Sequence, residues 1–143
     1  MRAVRRVVTA QVNGLGMITA DGPTPEINGP RGAVVHEVWR APCPTGEEPE
    51  GTEWTRNPPE GGSVFRVIDF PPGDPSHEPR MHATMTIDYG IVLEGELHLL
   101  TDNGDEVKLE EGDIVVQRQA THAWVNRSDR PCRLAAILID GVQ

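Results

Sequence analysis

The chain has 143 residues, a formal net charge of −9 and an ordinary share of apolar and charged residues. This length suits one domain with one core, and the composition excludes general disorder. No Lys/Arg cluster offers the basic face that a nucleic acid needs, and no apolar run approaches the about 20 residues of a membrane helix. We therefore expect neither a nucleic-acid nor a membrane partner. The 15 Gly and 13 Pro, beside many short apolar runs, favour a turn-rich β protein.

The first part of the chain mixes strand-like and turn-rich stretches. Residues 4–12 alternate weakly and predict an edge strand, whereas residues 13–31 are rich in Gly and Pro and predict an irregular arm. Residues 33–39 have strand composition. Residues 41–62 contain five Pro and five Glu and predict a long loop. A loop of this length in a compact domain is commonly a functional lid.

The rest of the chain predicts a rapid succession of strands. Ser63–Phe70 is one of them, residues 91–100 predict a single long strand, and Asn103-Gly104 predicts a tight hairpin. Residues 133–139 predict a closing strand that is buried on both faces. Further short strands are expected at Glu106–Leu109, Ile114–Arg118 and His122–Val125. No segment predicts a helix longer than a turn or two, so the pattern indicates an all-β sandwich or barrel.

One stretch resembles the first sequence motif of the cupin superfamily. That motif has a His-x-His pair, then an acidic residue, then a Gly seven positions after the acid. His82, Asp88 and Gly95 occupy the first His, the acidic and the Gly positions. The sequence departs from the motif at Thr84, which stands where the second His belongs, and it has Asp in place of the more usual Glu.

A second stretch resembles the other cupin motif, which begins with Gly-Asp and ends with His-x-x-x-Asn. Gly112, Asp113, His122 and Asn126 match it. Arg118 stands where Pro is common, and the distance from the Gly to the His is one residue short. The two motifs together directly cover about a third of the chain.

The resemblance implies a jelly-roll β-barrel of two antiparallel sheets, formed by a single domain over residues 1–143. Residues 1–33 would form an N-terminal strand and arm, and residues 71–140 the barrel core that bears both motifs. An exposed N-terminal strand leaves an edge that needs pairing. Cupins commonly pair such an edge by dimerising, so we expect a homodimer.

The resemblance also implies that His82, Asp88 and His122 point into the barrel mouth. Two imidazoles and a carboxylate suit a divalent metal such as Fe, Mn, Zn or Ni, with open positions for substrate. His77, in the preceding loop, is a candidate fourth ligand. Thr84 is a poor ligand and is expected to bind water or substrate, or only to favour the strand. The alternative is a hydrogen-bonded pocket without a metal.

Five further residues are candidates for the same pocket. Tyr89 is a candidate general acid, and Arg118 a candidate clamp for a carboxylate, so both are predicted catalytic residues. Gln117 and Trp124 are predicted to line the pocket, and Arg66 is a second candidate anion clamp. The structural alternatives are packing for the two aromatic residues and a surface position for Arg118.

Three functions are consistent with these residues. The first is a metal-dependent decarboxylase, dehydratase or isomerase that acts on a small, oxygen-rich metabolite by polarising a carbonyl or carboxylate. The second is an Fe(II)-dependent dioxygenase, which turnover without O₂ would exclude. The third is a non-catalytic cupin that binds a small molecule, which the absence of metal after gentle purification would favour.

The two cysteines bear on the cellular compartment. Cys43 and Cys132 are far apart in the sequence and fit no metal-binding spacing. We interpret them as two free thiols in a reducing, cytoplasmic setting, with a single disulfide as the alternative.

Overall fold

The computed structural model describes residues 1–42, 54–73 and 78–141. These residues form eleven β-strands and one turn of 3₁₀ helix, Pro30–Gly32. The strands are β1 (Arg5–Val12), β2 (Leu15–Pro23), β3 (Glu26–Asn28), β4 (Val34–Ala41), β5 (Ser63–Phe70), β6 (Thr86–Glu94), β7 (Leu97–Thr101), β8 (Glu106–Leu109), β9 (Ile114–Arg118), β10 (His122–Val125) and β11 (Cys132–Asp140).

The strands form three antiparallel sheets. A six-stranded sheet has the order β3-β4-β5-β11-β6-β9, and a three-stranded sheet has the order β10-β7-β8. Within the described ranges, β1 and β2 pair with each other and with no other strand, so they form a separate two-stranded ribbon. The two larger sheets give the jelly-roll architecture that the cupin-like motifs predicted. No helix in the described part of the chain is long and apolar enough to cross a membrane.

The core lies where the two larger sheets meet. β11, at the centre of the six-stranded sheet, directs alternate residues inward, including Leu134 and Leu138. The predicted burial of residues 133–139 on both faces holds only for their first half, since Ile139 is 37% exposed on the outer face. The largest cluster of buried apolar residues joins four strands and consists of Val92, Leu97, Leu109, Cys132 and Leu134.

The prediction of an irregular arm over residues 13–31 is wrong, because most of this segment is in β2 and β3. β2 is the second strand of a hairpin with β1. Asn13 and Gly14 form its turn with φ of 49° and 80°. Positive φ at both central residues is what a two-residue hairpin turn requires, and Asn-Gly is its preferred sequence. The Asn-Gly pair was therefore the signal that the Gly- and Pro-rich composition concealed.

The single long strand predicted over residues 91–100 is also wrong, because the chain turns between β6 and β7. Gly95 adopts φ of 83° there. A Cβ atom at Gly95 would lie 2.8 Å from the carbonyl oxygen of Pro131. The position therefore requires glycine for two separate reasons, a left-handed backbone and a close backbone contact.

The loop at residues 41–62 and the thiols are only partly described. Residues 43–53, which hold half of the predicted lid and Cys43, lie outside the described residues. Cys132 is free and buried. Burial, with nearby carboxylates, raises the pKa of its thiol to about 12, so this cysteine is a packing residue rather than a nucleophile.

We predict that Gly95→Val lowers the free energy of unfolding by at least about 3 kcal/mol, since the cost of a left-handed valine adds to a steric clash. Gly112→Val tests the backbone cost alone, because Gly112 has φ of 89° with no heavy atom within 4 Å of its added Cβ. Gly22→Val, in open space without positive φ, is the control. Thermal melting should rank the three losses of stability in that order. Equal melting temperatures for Gly95→Val and Gly22→Val would contradict the assignment.

Candidate functional site

A cavity of about 140 Å³ lies inside the barrel. Strands β4, β5, β6, β9 and β11 of the six-stranded sheet contribute to its lining, together with β10 from the opposite sheet. Much of the lining is apolar, including Val35, Ile68, Phe70, Val115, Leu134 and Leu138. The polar and charged residues of the lining include Arg66, His82, Thr84, Asp88, Gln117 and His122.

His82 and His122 are held side by side by the backbone. The amide of each residue donates to the carbonyl of the other, both at 2.9 Å, in a bridge outside the longer strands. Residues paired in this way project their side chains to the same side. The ring centroids consequently lie 4.4 Å apart, with an interplanar angle of 61°. Trp124 adds an edge contact at 6.0 Å from the His122 ring.

The backbone also fixes which ring nitrogen carries the proton. His82 Nδ1 lies 3.3 Å from the Arg80 carbonyl oxygen, and His122 Nδ1 lies 2.7 Å from the Ala120 carbonyl oxygen. A carbonyl oxygen only accepts hydrogen bonds, so in each neutral ring Nδ1 is the donor and Nε2 keeps its lone pair. The site therefore contains two imidazole nitrogens that are able to accept a proton or bind a cation.

Burial keeps the pKa of His82 below its ordinary value of 6.5. Desolvation is the main cause, and the neighbouring His122 acts in the same direction, whereas the hydrogen bond to Arg80 opposes both. His82 is therefore neutral at pH 7, which is the form able to act as a base.

Asp88 is the acidic residue of the site. It lies on β6, where Gln117 is its register partner on β9. Its Oδ1 atom is buried without a hydrogen-bond partner. Desolvation raises the pKa of this carboxyl above 3.8, although the Thr86 hydroxyl and the nearby His122 and Arg66 act against the rise. Thr84, whose hydroxyl lies 2.7 Å from that of Thr86, completes this part of the cavity.

Arg66 does not have the role expected of it. Its guanidinium donates to both carboxylate oxygens of Glu37, at 2.9 and 3.1 Å, and the residue is only 1% exposed. The Trp54 ring covers it, with its centroid 4.7 Å from the guanidinium carbon. Because Glu37 already accepts hydrogen bonds from Nε and Nη2 of Arg66, this guanidinium is not available to bind a substrate anion in a bidentate manner.

Of the two residues predicted to be catalytic, Tyr89 is among the residues that line the cavity and Arg118 is not, but neither directs its side chain inward. Strand alternation directs Asp88 and Gly90 inward, so the side chain of Tyr89 between them lies on the outer face, 43% exposed. On β9 the same alternation directs Gln117 inward and leaves Arg118 exposed. The structural alternatives for these two residues fit their positions better.

All but one of the other predicted site residues line the cavity. The structure brings His82, Asp88, His122, Thr84, Gln117 and Trp124 to one cavity. His77 lies outside the described residues. The sequence did not reveal that Glu37, Trp54 and Arg56 belong to the same region. One signal was available, since Glu37 shares a strand face with Val35, and a charge on the inward face of a strand requires a partner.

The implied metal fits this site only in part. The two Nε2 atoms are suitable ligands for a divalent cation, and their Nδ1 contacts to carbonyls are the outer-shell partners that metal-bound histidines usually have. However, no three His, Cys, Asp or Glu side chains among residues 1–42, 54–73 and 78–141 are grouped closely enough to hold one ion. The metal therefore stays a prediction.

Comparison with known families decides the wider relationship. Residues 66–139, just over half of the chain, match the profile of the family described as Cupin domain. The chain belongs to the cupin family. The matched region contains both cupin-like motifs and all the residues that the motifs predicted for the site.

Curated relatives of this cupin include fungal proteins. The cupin-domain-containing oxidoreductase srdD of Neurospora crassa is 42% identical over 84 residues, which cover 57% of this chain and 41% of that protein. The phomopsin biosynthesis cluster protein C′ of Diaporthe leptostromiformis is 50% identical over 68 residues, covering 48% of this chain and 34% of that protein. The cupin thus matches well under half of the length of either relative.

Solved structures agree with the fold over more of the chain. One is a Salmonella typhimurium protein provisionally named ethanolamine utilization protein Q. The alignment spans 99% of this cupin and 100% of the Salmonella chain, with a TM-score of 0.57 and 10% sequence identity. A conserved protein of Streptococcus pyogenes covers 82%, with 81% of its own chain, a TM-score of 0.52 and 11% identity. At this identity the likeness shows the fold alone.

We predict opposite effects of pH for two aspartates. The raised pKa of Asp88 means that folding is penalised as pH rises above about 3.8, because a buried carboxyl must then ionise. Asp88→Asn should therefore stabilise the protein at pH 7. The expected gain in the free energy of unfolding is about 1 kcal/mol, the cost of leaving the Oδ1 atom buried without a partner. This gain should vanish near pH 4. Urea unfolding at a series of pH values measures this.

Asp69 is the matched control for this experiment. Burial opposes its ionisation, but hydrogen bonds from Arg133 and His36 outweigh burial and lower its pKa. Its contribution to stability is therefore present above pH 3.8 and is lost as the pH falls through the lowered value. Asp69→Asn should destabilise the protein at pH 7. A loss of stability for Asp88→Asn at pH 7 would show that this carboxylate is paired after all.

Proposed function

We propose that this cupin is an enzyme of the lyase or isomerase type that moves a proton on a small, largely apolar substrate. One observation carries the proposal: His82 and His122 present two acceptor nitrogens beside a carboxyl group with an unpaired oxygen, in a cavity that is otherwise mostly apolar. Perturbed ionisable groups that meet in one cavity are the usual components of acid–base catalysis.

Two ionisable groups of the cavity have pKa values shifted toward each other. Desolvation lowers the pKa of His82 and raises that of Asp88. A smaller difference in pKa between the proton donor and the proton acceptor makes proton transfer between them less costly in either direction. We assign Nε2 of His82 or His122 as the base and the Asp88 carboxyl, with the Gln117 amide beside it, as the groups that hold the substrate oxygen.

The proposed step is a proton shift next to a carbonyl group. In the protonated form of the Asp88 carboxyl, which its raised pKa favours, Nε2 of His122 or His82 removes a proton from the carbon beside the carbonyl. The C–H electron pair forms a C=C bond as the carbonyl oxygen accepts the proton of that carboxyl. In an isomerisation the imidazolium returns its proton to a carbon of the enol, and the enol O–H returns the other proton to Asp88 as the C=O bond re-forms. In a dehydration the enol O–H also returns its proton to Asp88 as the C=O bond re-forms. The electron pair of the enol C=C bond then forms a C=C bond to the next carbon, whose hydroxyl leaves as water with the proton from the imidazolium.

The cavity also suggests the class of substrate. A volume of about 140 Å³ is comparable to apolar protein cavities of about 150 Å³ that hold one benzene molecule. The apolar lining favours a substrate with one ring or a similar hydrocarbon body and one oxygen-bearing group. This proposal revises the oxygen-rich metabolite expected from the sequence, because an apolar lining would leave many substrate hydroxyl groups without partners.

A metal-dependent reaction is a second candidate, favoured by two adjacent imidazole rings whose Nδ1 atoms face carbonyl oxygens, which leaves both Nε2 lone pairs available. His82 and His122 would hold a divalent cation, with Asp88 as the nearest carboxylate of the cavity. Such an ion would act as a Lewis acid on the substrate carbonyl. The oxidoreductase names of several relatives also fit a metal-dependent reaction, including the Fe(II) dioxygenase considered from the sequence.

We predict that the protein catalyses proton exchange at the carbon beside the carbonyl of single-ring ketones. Incubation of a panel of such ketones in D₂O, followed by NMR, should show deuterium incorporation above the buffer rate. His122→Ala and His82→Ala should each lower the exchange rate by about 100-fold, because each removes one acceptor nitrogen. His98→Ala is the matched control, since His98 is on β7 and is not a lining residue of the cavity.

Binding separates catalysis from simple recognition in the same experiment. Ketones that enter the cavity should shift the NMR signals of the His82 and His122 rings. Binding without exchange in the wild type would exclude the proton-transfer proposal and leave a non-catalytic binding cupin.

We predict for the metal-dependent alternative that elemental analysis of the protein after gentle purification detects close to one Fe, Mn, Zn or Ni ion per chain. His122→Ala should remove that ion, because a single remaining imidazole binds a divalent cation weakly. His98→Ala should retain it. Full metal content in His122→Ala would place the ion elsewhere, and metal-free protein that exchanges protons would favour the acid–base route.

A further inference from the structure

Arg56 is a charged residue of the cavity wall that the proposed reaction does not use. It is exposed, and it lines the cavity together with His82. Burial and the neighbouring His122 are the larger causes of the lowered pKa of His82, and the charge of Arg56 lowers it further. Among the described residues, the Arg56 guanidinium has no hydrogen bond or ion pair. It is therefore available to bind a group that enters the cavity from solvent.

The backbone on both sides of Arg56 is held in place. Arg40 donates from Nη1 to the Thr55 hydroxyl at 2.8 Å and from Nη2 to the Asn57 carbonyl oxygen at 3.0 Å. One residue before Thr55, the Trp54 ring covers a buried guanidinium of the cavity wall at 4.7 Å. These contacts position Arg56 before any ligand binds, so binding does not have to order this segment.

The charge balance at this end of the cavity is positive, although the chain as a whole carries −9. Among the described residues, the positive charges of Arg40, Arg56 and Arg66 meet the single negative charge of Glu37, which leaves +2. The balance is +1 when the Asp88 carboxyl is ionised. The hydrogen-bond partners of Arg40 are neutral groups, so they do not reduce this excess. The cavity mouth therefore favours an anionic ligand over a neutral ligand of the same shape.

A carboxylate is the anion that fits this position. Arginine binds planar oxyanions with two parallel hydrogen bonds, and a carboxylate has the single negative charge that the excess of +1 to +2 can balance. The apolar part of the cavity, at about 140 Å³, holds one ring. A carboxylate attached to that ring would stay at the open end beside Arg56, where its desolvation costs little.

We infer that Arg56 binds the carboxylate of a ring-bearing keto acid at the cavity mouth and so determines specificity for an anionic substrate. The keto group in this inference rests on the proposed function, whereas the carboxylate rests on Arg56 and its surroundings. The ring occupies the apolar part of the cavity, and the carbonyl oxygen reaches the Asp88 carboxyl. Arg56 thereby has the anion-binding role that the sequence analysis gave to Arg118 and Arg66.

Equilibrium binding of two matched ring ketones tests this role. Oxocyclohexanecarboxylate and methylcyclohexanone, each substituted on the carbon opposite the ketone, share a ring and a carbonyl, and only the first is charged. NMR titration of the wild type should show at least about 10-fold tighter binding of the carboxylate, as expected for one charge-assisted hydrogen-bonded contact. Arg56→Gln should remove this preference and leave the affinity for the neutral ketone within about two-fold.

Two further variants make the comparison specific. Arg56→Lys should retain part of the preference, because lysine keeps the charge but not the planar pair of donors. Arg118→Gln is the matched control, since Arg118 is exposed but is not a lining residue of the cavity. It should retain the whole preference. Circular dichroism should confirm that all the variants fold.

The outcomes separate this inference from the proposed reaction. Equal affinity of the wild type for the two ketones, binding of neither, or a preference that Arg56→Gln leaves unchanged would overturn the role of Arg56. Deuterium exchange is measured in the same samples. Exchange of both ketones without a difference in affinity would keep the proton-transfer function and overturn the anion site. An Arg56-dependent preference without exchange would keep the anion site and exclude proton transfer.

Discussion

The reciprocal pair of backbone hydrogen bonds between His82 and His122 is the constraint on which the site depends. The two residues are 40 positions apart in the sequence, and each lies beside a turn rather than inside a long strand. Without this bridge, each imidazole would be a separate loop side chain. With it, both rings share one side, both Nδ1 atoms face carbonyl oxygens, and both Nε2 atoms stay free of hydrogen bonds from the described residues.

The ionisable groups around the cavity differ sharply in how well they are paired. Arg66 and Glu37 form a bidentate buried pair, and Asp69 is held by both Arg133 and His36. Buried charges normally have partners of this kind. Asp88 is the carboxyl that departs from the pattern within the cavity, with an unpaired Oδ1 and a raised pKa. Stability alone gives no reason for this departure, and proteins depart from such local rules most often at functional sites.

The sequence predicted the fold and much of the cavity because both depend on strong local signals. Ser63–Phe70 and His122–Val125 have the bounds expected of them, since Pro71 and Asn126 follow them directly. His82, Asp88 and His122 reach one cavity as the family resemblance implied. The failures have equally specific causes.

The Gly- and Pro-rich composition led to a wrong prediction for β2, which pairs with β1 through the Asn13-Gly14 turn. The apolar pattern of residues 91–100 predicted one strand, but Gly95 forms a turn within it. Tyr89 and Arg118 were selected for their chemistry, but alternation directs both side chains away from the cavity. The pairing of Glu37 with Arg66 could not be predicted without the register of β4 on β5, because sequence alternation alone shows a charge facing inward but not its partner.

Strand β6 links the chemistry of the cavity to the outer surface of the sheet. Thr86, Asp88, Gly90 and Val92 face the interior, where Asp88 and Gly90 line the cavity, and the odd-numbered residues form the centre of the exposed apolar face. Because the side-chain period of a strand is two, a slip of one residue would replace Asp88 with Tyr89 inside and expose a carboxylate outside. Apolar contacts on the outer face therefore oppose the same slip that the cavity cannot tolerate. The register of β6 against β9 and β11, and with it the position of the Asp88 carboxyl, is thus held from both sides.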